Sequence, residues 1–210
     1  MKKIFCFLFI LFLPIIFAGQ TIKVGDWDIH ANYNEISVMK VVNQKVYVGT
    51  KLGLFLYNRF DNSLSTFSKI DGLSSLDISA LTYDQNSNSL LIGYRDGNID
   101  LLQNNTVINI PEILFANIVG EKRINNIFIH NNLAYISCSF GLVIYNLEKL
   151  EVKETCYFYN DDGIASNVYQ VHVFDDEIYR ESDVFLSNKI FVATSSGLLY
   201  ANKNNNLISS

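Results

Sequence analysis

The chain has 210 residues, of which 49% are hydrophobic and 18% charged, with a formal net charge of −5. This balance excludes a disordered chain. The scattered, net-acidic charge argues against nucleic-acid binding, which needs clustered Lys and Arg to neutralise phosphates.

The N-terminus reads as an export signal. Met1-Lys2-Lys3 supplies a basic start and Ile4 to Phe17 an apolar run. Fourteen residues broken by Pro14 fall short of the roughly 20 that a membrane span needs. Cleavage is expected after Ala18 or Gly19, giving a signal peptide over residues 1–19, with an uncleaved signal anchor as the alternative. Cys6 lies inside the apolar run and is a poor lipidation site. Loss of Lys2 and Lys3 from the 16 basic side chains leaves 14 against 21 acidic, a formal charge of −7. Trp27, in Gly25-Asp26-Trp27-Asp28, precedes the first repeat and is read as an anchor for an N-terminal strand that closes a ring.

Four stretches then read alike, each a short apolar strand, a tight turn with a glycine and a second apolar strand. Their glycines are Gly53, Gly97, Gly141 and Gly197, at steps of 44, 44 and 56. A period of about 40–45 residues with several strands per unit is that of a β-propeller blade. The expected strands of the first blade are Ile36–Val42, Lys45–Thr50, Gly53–Tyr57 and Ser63–Phe67. Those of the second are Ile78–Asp84, Ser89–Tyr94, Asn98–Leu102 and Thr106–Ile110, with Pro111 at a strand end. The third blade holds Ile124–His130, Leu133–Cys138, Leu142–Asn146 and Val152–Tyr157. The fourth holds Val168–Phe174, Lys189–Thr194 and Leu198–Tyr200, with a last strand near Leu207. The fold class is all-β, a propeller over residues 20–210 with about four four-stranded blades at 36–68, 78–110, 124–157 and 168–210. Runs such as Leu90-Leu91-Ile92 are apolar on both faces, as expected where blades stack face to face. Asp96-Gly97 is a strong hairpin signal, because such turns need a positive φ that glycine adopts freely.

Asp71-Gly72-Leu73-Ser74-Ser75 and Asp162-Gly163-Ile164-Ala165-Ser166 form a second repeated element ahead of blades two and four. They lack the regular Asp spacing of a calcium loop and read as turns that feed the next inner strand. The extra residues in the last step fall around Asp175 to Asp183 and read as a solvated hairpin extension. Cys138 and Cys156 are placed two ladder spacings apart, roughly 9–10 Å. That is beyond the reach of a disulfide, so both are expected as buried free thiols. No catalytic motif is found, and no catalytic, cofactor or metal residue is assigned; His30, His130 and His172 stand apart from other ligand types. Most aromatics are expected between blades. Four units with an end at Ser210, soon after the last glycine hairpin, read as a truncated propeller whose open arc exposes an apolar face.

Several strings carry a resemblance: Gly25-Asp26-Trp27, Lys69-Ile70-Asp71-Gly72-Leu73-Ser74, Tyr94-Arg95-Asp96-Gly97-Asn98-Ile99-Asp100-Leu101, Ile124-Asn125-Asn126-Ile127-Phe128-Ile129-His130 and Tyr135-Ile136-Ser137-Cys138-Ser139-Phe140-Gly141. Over residues 25 to 210 the chain resembles the PorZ N-terminal β-propeller family of the type IX secretion system, built from two-component regulator propeller repeats. The resemblance implies a partial ring of a seven-bladed propeller in a larger protein with a second propeller and a C-terminal β-sandwich. It also implies a non-enzymatic, exported protein at the outer-membrane surface or in the periplasm. Its implied partners are attachment-complex proteins including a sortase, and its implied ligand is anionic lipopolysaccharide or another glycan. Such a ligand calls for local basic charge, and Lys122-Arg123 is the one adjacent basic pair after processing. A sensory propeller of a carbohydrate-responsive hybrid two-component regulator is the competing reading, and a propeller lyase the third.

Overall fold

The computed structural model describes residues 35–174 and 189–202, with the backbone of Tyr179–Arg180 and Asp183–Val184 besides. The export signal, Trp27, His30, residues 175–178 and Leu207 lie outside the described residues.

Short strands joined by tight turns pair with their sequence neighbours into antiparallel sheets. The first sheet runs β1 (Ile36–Val42), β2 (Lys45–Thr50), β3 (Leu54–Asn58) and β4 (Ser63–Phe67), in that spatial order. The second runs β5 (Ile78–Asp84), β6 (Ser89–Tyr94), β7 (Ile99–Gln103) and β8 (Thr106–Ile110). After the short helix α1 (Glu112–Phe115), the third sheet holds β9 (Ile124–His130), β10 (Leu133–Cys138), β11 (Gly141–Asn146) and β12 (Glu151–Cys156). The fourth holds β13 (Val168–Phe174), β16 (Lys189–Thr194) and β17 (Gly197–Asn202). Between β13 and β16, β14 (Tyr179–Arg180) pairs antiparallel with β15 (Asp183–Val184). The first strand of every sheet falls on the expected residues, and several third strands shift by one. The helix is the element that the repeat pattern did not predict. It starts just after Pro111, and Lys122 Nζ donates to the Leu114 and Ala116 carbonyls at 2.7 Å each, supplying partners at its open C-terminal end.

Alternation along each strand sends side chains to both faces, and three apolar cores fill the spaces between consecutive sheets. Leu54 and Tyr47 of the first sheet meet Ile78, Leu81, Leu90, Ile92 and Tyr94 of the second. The other face of the second sheet, with Leu91, Ile99 and Leu101, meets Ile124, Ile127, Ala134 and Ile136 of the third. Tyr135, Leu142 and Ile144 of the third then meet Val168, Val171, Ile190 and Val192 of the fourth. Sheets buried on two faces explain the near-continuous apolar runs.

One contact recurs at each junction. The opening residue of β5, β9 and β13 is Ile78, Ile124 or Val168, each fully buried. Opposite it, the fifth residue of β2, β6 and β10 is Gly49, Gly93 or Ser137. A Cβ at Gly49 would lie 2.5 Å from Ile78 Cγ2, and one at Gly93 would lie 2.7 Å from Ile124 Cγ2. Glycine stands where isoleucine enters, and serine stands in the junction where the smaller valine enters. The first strand of each sheet also slips register at its second residue, at Ser37, Ser79, Asn125 and Tyr169. These bulges turn two of those side chains onto the next sheet: Ser79 Oγ donates to the Ile124 carbonyl at 2.6 Å and Asn125 Nδ2 to the Val168 carbonyl at 2.8 Å. The backbone repeats as well, with the N–H of Arg95, Ser139 and Ser195 donating to the carbonyl of Asp77, Arg123 and Asn167.

Gly93→Ser is therefore expected to destabilise the fold by about 1–3 kcal/mol through overpacking. Adding Ile124→Val should recover part of that loss, because it recreates the Ser–Val pair of the next junction. Urea unfolding of the two single variants and the double variant measures this coupling. A strictly additive cycle would contradict the packing account.

Candidate functional site

In the first three sheets the turns between the first two strands gather at one end of the inner strands. Asn131 and Asn132, both at positive φ, make the two-residue turn from β9 to β10. The turn from β5 to β6 is organised by Asp84, whose carboxylate accepts from Ser87 Oγ at 2.6 Å and from the Asn86 N–H at 3.0 Å. Asn86 Nδ2 reaches across to Asn132 Oδ1 at 3.2 Å and ties the second sheet's turn to the third's. Tyr83 donates to Asn88 Oδ1 at 3.3 Å.

Two adjoining hollows open here, of about 460 and 390 Å³, and share Lys40, Tyr83 and Gln85. Their rim carries amides from Asn86 and Asn131 and the His130 imidazole, and Phe128 lies in the wall. Phe128 stacks on His130 at 6.3 Å and meets His172 at 4.7 Å, and the row continues through Phe174 and Phe191 to Tyr200. The arrangement offers many neutral donors and acceptors around aromatic faces, with Lys40 as its ammonium and Asp84 as its carboxylate. Chemically this suits a hydroxyl-rich ligand better than a reacting group. Sequence reading did not find it, because its residues come from the strand ends and turns of three separate repeats, where they carry no motif.

Of the sequence-flagged residues, His130 lies on this rim and the others fall elsewhere. His130 and His172 take part in the aromatic row, and among the described residues no group of three His, Cys, Asp or Glu could hold a metal ion. The basic pair does not form a surface patch: Lys122 is engaged by the helix carbonyls, and Arg123 Nε is buried. Aromatics divide between two environments. Tyr47, Tyr94, Tyr135 and Tyr145 lie between sheets, whereas Phe60, Tyr159 and Tyr200 are exposed.

The segment over residues 71–75 is a turn, as expected. Asp71 Oδ2 accepts from the N–H and the hydroxyl of Ser68, both at 2.8 Å, and Gly72 has φ +106°. Leu73 plugs the core beside it, and the next N–H, of Ser74, donates to buried Asp100 at 2.8 Å. Asp100 also accepts from Tyr94 Oη at 2.6 Å and Asn109 Nδ2 at 3.0 Å. Burial first, and the Asp100 charge second, hold the Tyr94 phenol protonated well above its ordinary range. Ser75 Oγ donates to Asp96 at 2.7 Å, and Gly97 behind it has φ +91° with Lys122 Cβ only 2.8 Å from where its own Cβ would be. In the matching segment over residues 162–166, Asn160 Oδ1 accepts from the Asp162 and Ile164 N–H groups in place of the aspartate.

Cys138 and Cys156 are free and buried. They face opposite sides of the third sheet, Cys138 toward the second sheet and Cys156 toward the fourth, so a disulfide is sterically barred. Burial pushes both thiols up, Cys156 to about 12 with a smaller contribution from Glu154. Neither is a nucleophile at neutral pH.

A ring-segment of antiparallel blades with three or four described strands each, and a polar cup at the ends of its inner strands, defines a β-propeller protein. The family model of the type IX secretion system PorZ N-terminal beta-propeller domain matches residues 46–210, and the chain belongs to that family. Among solved structures it is similar to PorZ of Porphyromonas gingivalis, with 22% identity and a TM-score of 0.67, over 83% of this chain and 21% of that one. It is also similar to the extracellular domain of the hybrid two-component system BT4673 from B. thetaiotaomicron, with 14% identity and a TM-score of 0.51, over 82% of this chain and 27% of that one. The computationally designed Ika8 protein matches with 13% identity and a TM-score of 0.52, over 83% and 46% of the two chains. The chain thus spans about a fifth of the length of the PorZ it matches. Among curated protein sequences, none matches it significantly.

Two outcomes test the buried chemistry. Asp100→Ala should cost about 2–4 kcal/mol, because it strands the Tyr94 hydroxyl and the Ser74 N–H, and denaturant titration reads the loss directly. Both thiols stay protonated in the folded chain at pH values where unfolded cysteines ionise, so the unfolded state binds fewer protons and stability falls as pH rises. Between about pH 8.5 and 10 the fall should reach about 1.4 kcal/mol per pH unit per thiol. It should flatten in the Cys138→Ser/Cys156→Ser double variant; an unchanged alkaline slope would count against the assignment.

Proposed function

We propose that this chain acts as a non-enzymatic scaffold of the type IX secretion system, at the outer-membrane surface or in the periplasm. In this role it binds the glycan of anionic lipopolysaccharide and presents it to a sortase partner that joins it to secreted cargo. The observation that carries the reading is the family match over residues 46–210. The polar cup supports it with a place for a glycan: amides from Asn86 and Asn131, the Tyr83 phenol and the Phe128–His130 stack, with Lys40 to meet a negative group. Export follows in this reading from Lys2, Lys3 and the apolar run from Ile4 to Phe17.

One observation favours a second reading. The cup is rich in amides and poor in cations, which fits an uncharged carbohydrate, as a sensory propeller of a two-component regulator would bind. Calorimetry with purified anionic lipopolysaccharide and with a neutral oligosaccharide separates the two. Salt-sensitive binding of the anionic glycan, weakened about tenfold by Lys40→Glu, is the expected result, equivalent to about 1.4 kcal/mol. Binding of the neutral sugar alone would move the assignment to sensing, and no binding of either glycan would remove the glycan role.

A further inference from the structure

The three junctions between sheets differ at the first residue of the second strand. Ser89 of β6 is fully buried, and Leu133 of β10 packs against the core between the third and fourth sheets. Lys45 of β2 holds the same position in the first sheet and is exposed. Beside it a cleft of about 210 Å³ remains between the first and second sheets, with Leu56, Leu90 and Leu102 in its walls. Lys45 and Tyr47, two residues apart on one face of β2, line it from the first sheet, and Tyr83 of β5 lines it from the second. Asn104 and Asn105, the positive-φ pair that turns β7 into β8, line it as well. The Tyr83 hydroxyl donates to Asn88 Oδ1, and both residues also border the neighbouring hollow of the cup. The cleft thus adjoins the cup across a single hydrogen bond.

Charge separates the two spaces. In the cup the Lys40 ammonium shares its walls with the Asp84 carboxylate. Among the described residues Lys45 is the one charged side chain that lines the cleft, and no carboxylate pairs with it. Burial, and then the nearby Tyr83 phenol, raise Tyr47 above its ordinary range, so its hydroxyl stays protonated. The volume is below the roughly 300–1,000 Å³ of sites that enclose a whole small molecule, and it suits one ring. We propose that the cleft is a subsite for one acidic sugar unit, its anionic group on Lys45 and its hydroxyls on Asn104 and Asn105. The proposal rests on the glycan reading for the rest of the ligand, which the cup holds. The cup then reads the neutral part of the glycan, and the cleft supplies the preference for a charged one.

Nuclear magnetic resonance of the exported protein carrying isotopically labelled asparagine tests this, with glucuronate, glucose-6-phosphate, glucose and inorganic phosphate as probes. The two acidic sugars are expected to shift the side-chain amides of Asn88, Asn104 and Asn105, and the tighter of them tells whether the seat favours a carboxylate or a phosphate. Lys45→Gln, at an exposed position that the fold does not need, should weaken both by about tenfold, and Lys45→Arg should keep most of the affinity. Asn105→Gly, which retains the positive φ, should weaken them by about threefold. Glucose bound as tightly as the acids overturns the proposal, and so does the absence of any shift at those amides. Inorganic phosphate bound as tightly as glucose-6-phosphate overturns it too, because it marks a bare charge site. Purified anionic lipopolysaccharide separates this inference from the reading beneath it. Shifts at Asn86 and Asn131 of the cup without shifts at Asn104 and Asn105 overturn the cleft alone, whereas no shift at either place overturns both.

Discussion

The structure depends on one contact, a β-branched side chain at the start of each inner strand lodged against a residue with little or no side chain on the sheet before it. Ile78 against Gly49 and Ile124 against Gly93 leave no room for even one added carbon. That closeness sets the distance between sheets, and the distance in turn decides which other side chains fit. Leu, Ile and Tyr fill the remaining space, and the bulge beside each contact brings Ser79 and Asn125 into hydrogen-bonding reach of the next sheet. Hydrophobic burial supplies most of the cohesion, but it is indifferent to direction. The knob and its recess are what fix the register of one sheet on the next.

From this spacing follows the arrangement of the polar parts. With the inner strands side by side, their hairpin turns converge at one end, and residues of no individual distinction form a rim. Asn86 meets Asn132 across two sheets because the sheets hold their turns about a hydrogen-bond length apart. At the other end of the same strands, the linker from the first sheet is fastened by Asp100, Asp96 and Asn98. The two ends therefore differ in kind. One is a closed network around buried Asp100, and the other is a pair of adjoining hollows rimmed by amides that also bond across the turns.

Much of the architecture was legible from the residues. Glycines at a near-constant step, followed by apolar strands, located all four first strands to the residue, and the ladder spacing placed Cys138 and Cys156 out of bonding range. The knob and slot were not legible as such. Gly49 and Gly93 lie inside apolar strings and mark neither a turn nor a motif, and their counterpart Ser137 breaks any glycine pattern. Only the reciprocal change, valine for isoleucine where serine replaces glycine, reveals the rule, and that requires knowing which residues face each other. Helix α1 was missed because four residues are too few to show a period, and its end is held by a lysine side chain eight positions from the carbonyl of Leu114. The cup was missed for a related reason. Hydrogen-bonding turns are assembled by topology from separate repeats, so no single stretch announces them.

The two sulfurs on opposite faces of the third sheet carry a consequence for the chain's early life. Once the sheets have stacked, each is walled off by a different core and is inert toward oxidants. Before stacking, both are ordinary thiols on a flexible polymer. In an oxidising compartment the polypeptide therefore runs a race between burial and cross-linking, and a wrong bridge formed first would demand that one strand turn its faces inside out.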